Sequence, residues 1–262
     1  MPSSALHVAR TGLEAQDTRM RVIANNLANV GTTAFKRDRA NFATLAYQDA
    51  RVAGQQSSNE TAYATGLNLG TGVSVQSTSR IESQGSLQNT DNALDLALDG
   101  DGFFQVALPG GQLAYTRAGN FSRSAEGQLV TAQGYVVQPA ITIPEGASAI
   151  TVAQDGTVSA TLPGNAEPTQ LGQLTVASFA NPAGLRASSD NFLMETAASG
   201  TAQIGIPGDN GRGHIKQGFL EASNVNVVQE LVDMIETQRA YEINSKMISA
   251  VDEMLKNANQ TL

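Results

Sequence analysis

From Ser223 to Leu262 the chain repeats an apolar side chain every seven positions, at Val227, Met234, Tyr241, Ile248 and Leu255. From Ala240 onward, Ile243, Met247, Val251 and Met254 widen the same face. This spacing predicts one long amphipathic helix from about Asn226 towards Ala258. The interleaved positions are mixed: Leu231, then Gln238, Ser245 and Asp252. Alternating apolar and polar layers specify register and partner at some cost in stability. Such a face reads as a seam for another helix rather than as core filler.

The other end of the chain offers that helix. Leu6, Ala9, Leu13, Gln16, Met20, Ile23, Leu27 and Val30 follow a three-four spacing, and seven of the eight are apolar in a chain that is 41% hydrophobic. Ser3 or Ser4 would cap its start and Gly31 its end. Charge favours pairing of the ends. Residues 1–51 hold seven Lys or Arg against four Asp or Glu, net +3, and residues 221–262 hold three against seven, net -4. At about 1.5 Å per residue the helices would run roughly 40 and 50 Å. The alternative is two helices packed on one globular core.

Composition narrows the function. A net charge of -8 with no long Lys/Arg run argues against nucleic acid, whose phosphates need clustered cations. With no cysteine there is no disulfide and no thiolate chemistry. Arg10, Glu14, Asp17, Arg19 and Arg21 interrupt the apolar run that a cleaved signal peptide requires. No stretch reaches the roughly 18 uncharged apolar residues of a membrane span.

Between the ends the pattern changes twice. Phe35, Phe42, Leu45 and Tyr47 anchor a segment that is extended or loosely helical, and GQQSSNETAYATGLNLGTG then reads as a long loop or irregular hairpin. From Gly72 apolar residues alternate with polar ones, and turn signals such as Asp99-Gly100-Asp101-Gly102, Pro109-Gly110-Gly111 and Asp155-Gly156 bound short runs. That is the grammar of an antiparallel sandwich or barrel. The expected fold is therefore α+β and mainly β, an antiparallel body inserted between terminal helices that pair as a coiled-coil-like stalk. Its expected parts are a first helix over 1–31, a connecting segment with the polar insertion over 32–80, an outer β domain over 81–205, a return segment over 206–223 and the last helix over 224–262. Asn226 and Gln229 resemble a capping pair.

Catalysis has little material. Asp95, Asp99 and Asp101 crowd one stretch, and paired carboxylates can hydrolyse glycans; yet Asp-Gly-Asp-Gly between alternating runs is first a hairpin turn. As a calcium loop it fails, with Phe103 and Gly110 where ligands belong. With no cysteine, and with His7 and His214 the only histidines and far apart, a His-based zinc site or a Ser-His-Asp triad has little material. GTG at 70–72 and GDG at 100–102 lack the context of a nucleotide loop. No cofactor, no metal and no enzymatic activity are expected.

IANNLANVGTTAFKRDRANF at 23–42, LALDGDGFFQV at 96–106, YTRAGNFSRSAEGQLVTAQGYVVQP at 115–139 and SNVNVVQELVDMIETQRAYEINSKMI at 223–248 resemble the bacterial flagellar rod and hook proteins, nearly end to end. Length, YQ at 47–48, GTGV at 70–73 and PAITIP at 139–144 are most similar to the distal-rod members. Ala34 stands where the family commonly shows a glycine. The resemblance implies a structural subunit that polymerises with itself into a helical tube, the rigid shaft crossing the periplasm, with the paired termini lining the channel and the β body outside. It implies as partners the proximal rod, the hook or hook-junction proteins, the outer-ring proteins acting as a bushing, and the flagellar export apparatus, which would export the chain without a cleaved signal. The assembly interface would comprise Leu6, Ala9, Leu13, Met20, Ile23, Leu27 and Val30 with Val227, Leu231, Met234, Tyr241, Ile248 and Leu255. A stiffening loop between subunits would present Tyr47, Gln48, Tyr63 and Leu67.

Overall fold

The computed structural model describes residues 2–56, 63–147, 149–163 and 167–260. It is α+β and mainly β, with one helix towards each end and antiparallel strands between them. Two compact units emerge, one drawn from Met1–Ala28, Asp38–Arg80 and Asn226–Leu262, the other from Asn29–Arg37 and Ile81–Val225. The segment expected to connect helix and body is thus divided: Asn29–Arg37 belongs with the β body and Asp38–Arg80 with the helices.

In the helical unit, α1 (Pro2–Ala28) and α2 (Val227–Gln260) run antiparallel. Gly12 faces Asn244, Arg19 meets Asp233 at 3.5 Å and Asn26 meets Glu230 at 3.2 Å. Gly12 is the weak point of α1 by propensity, but a Cβ there would stand 3.0 Å from the Asn244 amide nitrogen, so the glycine lets the helices close. α1 starts at Pro2, ahead of both serines expected to cap it, and stops at Ala28, before Gly31. The early stop follows from Asn26. Its side chain accepts from the Asp38 N–H and donates to the Asp38 carbonyl, both at 2.9 Å, and so holds the returning chain against the last turn. α2 is capped as expected by Asn226, whose Oδ1 accepts from the Val228 and Gln229 N–H groups at 3.1 and 3.3 Å. Gln229 reaches forward to Asp233 rather than back to close a capping box.

Four strands complete this unit: β1 (Asp38–Thr44), β2 (Tyr47–Arg51), β3 (Leu67–Gly70) and β4 (Val73–Arg80). β1 pairs with β4, with an irregularity at Asn41/Phe42, and β2 pairs with β3. α1 is tied to this layer where the Val73 N–H donates to Thr11 Oγ1 at 3.4 Å.

The β unit is centred on strand Phe103–Ala107, which pairs with Leu113–Thr116, Val136–Gln138 and Val176–Ser178 in one extended antiparallel sheet. A three-stranded meander, Ala149–Val152, Thr157–Thr161 and Thr169–Gln173, packs its Val152 and Val158 into the same core as Leu96, Phe104, Val137 and Leu174. A second cluster joins Phe103, Tyr115 and Phe179 edge to face, with ring centroids 4.8–5.8 Å apart. Leu96–Asp99 pairs with His214–Gln217, and Leu87–Asn89 with Phe219–Glu221. Asp-Gly-Asp-Gly, expected as a hairpin turn, is instead a crossing between two sheets: Leu96–Asp99 before it and Phe103–Ala107 after it do not pair with each other, and Gly100 and Gly102 adopt φ of 113° and 138°, a region L side chains avoid.

Ala34 adopts the left-handed conformation at φ 56° although it carries a Cβ, and it is buried with its N–H on the Glu221 carbonyl at 2.8 Å. That conformation costs an L residue about 1–2 kcal/mol. Ala34→Gly relieves the strain but loses a buried methyl, so it should stay within about 1 kcal/mol of the parent. Ala34→Val adds β-branching at positive φ and should cost about 2 kcal/mol or more. Urea unfolding of both variants checks this; a harmless valine would show that the backbone shifts freely there.

Candidate assembly surfaces

On α1 the three-four face is turned inward. Ala9 and Ile23 are buried, and Leu6, Leu13, Gln16, Met20 and Leu27 are half-buried. Val30 lies past the end of the helix, is exposed, and belongs to the β unit. On α2, Met234, Ile248 and Leu255 are half-buried, whereas Val227, Leu231 and Tyr241 are about 40% exposed (39%, 43% and 41%). The inner layers between the heptad positions are Glu230, Thr237, Asn244 and Val251, three residues after each rather than four. Both phases are largely polar, so pattern alone does not separate them. Each polar residue in the inner phase has a local reason. Glu230 accepts from Asn26, Thr237 Oγ1 turns back to the Asp233 carbonyl at 2.6 Å, and Asn244 fills the space over Gly12.

Turning α2 by that one residue leaves a second apolar stripe outside, and Ile243, Met247 and Met254, expected to widen the seam face with Val251, lie on it instead. Val228, Val232, Ile235, Ile243, Met247 and Met254 are 45–71% exposed at three-four or longer helical spacings. Exposed apolar residues along one helix face make this a candidate contact surface.

The β2–β3 hairpin is exposed on both faces, apart from half-buried Arg51. Tyr47, Gln48, Tyr63 and Leu67 are all exposed, Tyr47 at 61%. Arg51 lays its guanidinium over the Tyr63 ring at 4.0 Å, and the Gly54 and Tyr63 N–H groups bond across the arm. Residues 57–62 of the insertion lie outside the described residues. A lone two-stranded ribbon is marginal in water and gains most from a partner.

The three aspartates are each engaged separately. Asp95 accepts from Thr90 and Asn92 at 2.7 and 3.0 Å, and Asp99 pairs with Lys216 at 2.7 Å, which holds its carboxyl below the usual range. Asp101 bridges to Arg212 through backbone. Among the described residues no group of three or more acidic or histidine side chains could hold a metal. The cavity bounded by Leu94, Ile141, Ile143, Ile150 and Leu174 is lined by apolar side chains.

Sequence reasoning missed a buried ion triad in the β unit. Glu221 accepts from Lys36 Nζ at 2.6 Å and Arg117 Nε at 2.8 Å, and from the Gly85 N–H at 2.9 Å. All three side chains are at least nine-tenths buried. Burial pushes the Glu221 carboxyl up, but Arg117 and Lys36 outweigh it and hold it below its usual range. Burial pushes Lys36 down and the Arg117 charge adds to it, against the pull of Glu221. Both cations bond the same carboxylate, and the Glu82 charge acts on Lys36 as well.

Three family descriptions match: "Flagella basal body rod protein" over residues 6–36, "Flagellar hook protein FlgE/F/G D1 domain" over 97–160, and "Flagellar basal body rod FlgEFG protein C-terminal" over 216–261. The flagellar basal-body rod protein FlgG of Buchnera aphidicola subsp. Acyrthosiphon pisum is 50% identical over 256 residues, 98% of each chain. That of Caulobacter vibrioides is 48% identical over 98% of each, and that of Agrobacterium fabrum 46% identical over 98% of this chain and 99% of its own. With identity of this level from end to end, the chain belongs to the flagellar basal-body rod and hook family, a family of structural proteins of the flagellum.

Proposed function

We propose that this chain, a structural protein of the distal rod, polymerises through the outer stripe of α2 and the β2–β3 hairpin into an open helical tube that transmits torque to the hook. The observation that carries the reading is the exposed stripe from Val228 to Met254, which the chain's own α1 leaves uncovered. Contacts between unlike surfaces, repeated by a rotation and rise that do not close, build a filament rather than a ring. The seam residues of α1 and α2 hold the helix pair that presents the stripe. The role is structural rather than catalytic, and the aspartates serve turns and ion pairs. The setting is the periplasm-spanning rod, reached through the flagellar export apparatus. The neighbours are further copies, the proximal rod, the hook or hook-junction proteins and the outer-ring proteins.

The hairpin is the stiffening element of this reading, because a ribbon with nothing beneath it orders by lying on another subunit. Deleting Tyr47–Leu69 should leave the melting of the β unit within about 1 kcal/mol of the parent, as for other surface changes, while filaments in electron micrographs become visibly bent. Deletion filaments as straight as the parent would remove the hairpin from this role, and a concentrated parent protein that forms no filaments would remove the polymer reading itself.

A further inference from the structure

We propose that Asn224 is a clasp tying together the passes by which the chain leaves and re-enters the β unit. The chain crosses the boundary of this unit four times, at either end of Asn29–Arg37, before Ile81 and after Val225. Three of these points are bonded to one another. The Arg37 N–H donates to Asn224 Oδ1 at 2.8 Å, the Ile81 N–H donates to the Arg37 carbonyl at 2.9 Å, and Asn224 Nδ2 donates to the Ile81 carbonyl at 2.8 Å. That closes a triangle.

The corner is reinforced on both sides. Asn224 Nδ2 also reaches the Ser83 carbonyl at 2.9 Å, and its own N–H donates to the Phe35 carbonyl at 3.3 Å. Three residues earlier, Glu221 binds Lys36 from the first pass and the Gly85 N–H from the second, while Lys36 Nζ bonds the Ser83 carbonyl at 2.8 Å. Residues 35–37, 81–86 and 222–226 lie in no strand or helix. Their backbone groups therefore have no ladder of their own, and their partners are one another and side chains such as that of Asn224. Only a primary amide offers an acceptor to one pass and donors to another from the same planar group. Tension drawn through one crossing is handed to the other two before it reaches the sheets. This is a property of the single subunit, separate from whether subunits polymerise.

Hydrogen exchange on the monomer tests it, comparing the parent with Asn224→Ala and Asn224→Asp. Asparagine to aspartate keeps the acceptor for Arg37 and sets a carboxylate against the Ile81 and Ser83 carbonyls. In both variants the segments 34–37, 81–86 and 221–225 should exchange at least tenfold faster and by a common factor, with Phe103–Ala107 and Val136–Gln138 unchanged. Acceleration confined to one segment, no acceleration, or equal acceleration of the central sheet would each overturn the clasp.

Discussion

Glu221→Gln should cost the β unit about 3–5 kcal/mol, because it removes the carboxylate to which both buried cations, Lys36 and Arg117, are bonded. For a unit of this size that corresponds to a fall in melting temperature of roughly 6–20 °C. Lys36→Met should cost less than half as much. Glu221 keeps Arg117, and the methionine removes a cation whose charged form burial and Arg117 already disfavour. The pH dependence follows from the same directions. The folded carboxyl of Glu221 titrates below its ordinary 4.5, so its contribution is present above that value and is lost as pH falls through the folded pKa. Lys36 titrates below its ordinary 10.5, so its penalty is present at neutral pH and fades as pH rises towards 10.5. Thermal melts of the parent, Glu221→Gln and Lys36→Met between pH 3 and 10 measure both effects. Equal losses for the two variants at pH 7 would mean the triad does not act as two cations on one anion.

Ile23→Asp should abolish filament formation and swimming. Ile23 is buried on the inner face of α1 in the helical unit, and an unpaired carboxylate there costs several kcal/mol against a helix pair with few other ties. Loss of the pair removes the stripe that α2 presents. The β unit, whose core shares no residue with that seam, should melt as the parent does. Swim-plate diameter and electron microscopy of basal bodies provide the readout, and Ile248→Asp should behave alike from the other helix. Normal swimming in either variant would exclude the seam from assembly.

The inner face of α1 could be read from sequence because its three-four repeat is apolar at seven of eight positions. α2 was harder. Its heptad residues Met234, Ile248 and Leu255 are half-buried, but the residues three and four places on are mostly polar alike, and only contact with Gly12 and Asn26 decides between them. Asp-Gly-Asp-Gly misled as a hairpin signal, because Leu96–Asp99 takes its partner from His214–Gln217, more than a hundred residues away, and not from the strand that follows the glycines. The triad had no local signal. Lys36, Arg117 and Glu221 lie in three separate stretches, and each alone looks like a solvated surface charge. The exchange of Asn29–Arg37 into the β unit was hidden for the same reason, since what holds it is a carboxylate and an amide nearly two hundred residues downstream.

That separation bears on how the subunit acquires its structure. The bonds from Lys36 to Glu221 and from Arg37 to Asn224 span 185 and 187 residues. Contacts of such range require the loop-closure entropy to be met before they return anything, and they slow folding. A chain made amino end first holds its first pass ready while the 42 residues from Glu221 onward are still to come. Until Glu221 and Asn224 emerge, the ion triad lacks its anion and the three passes lack their common tie. Completion of the β unit is therefore timed by the arrival of the segment that carries Glu221 and Asn224.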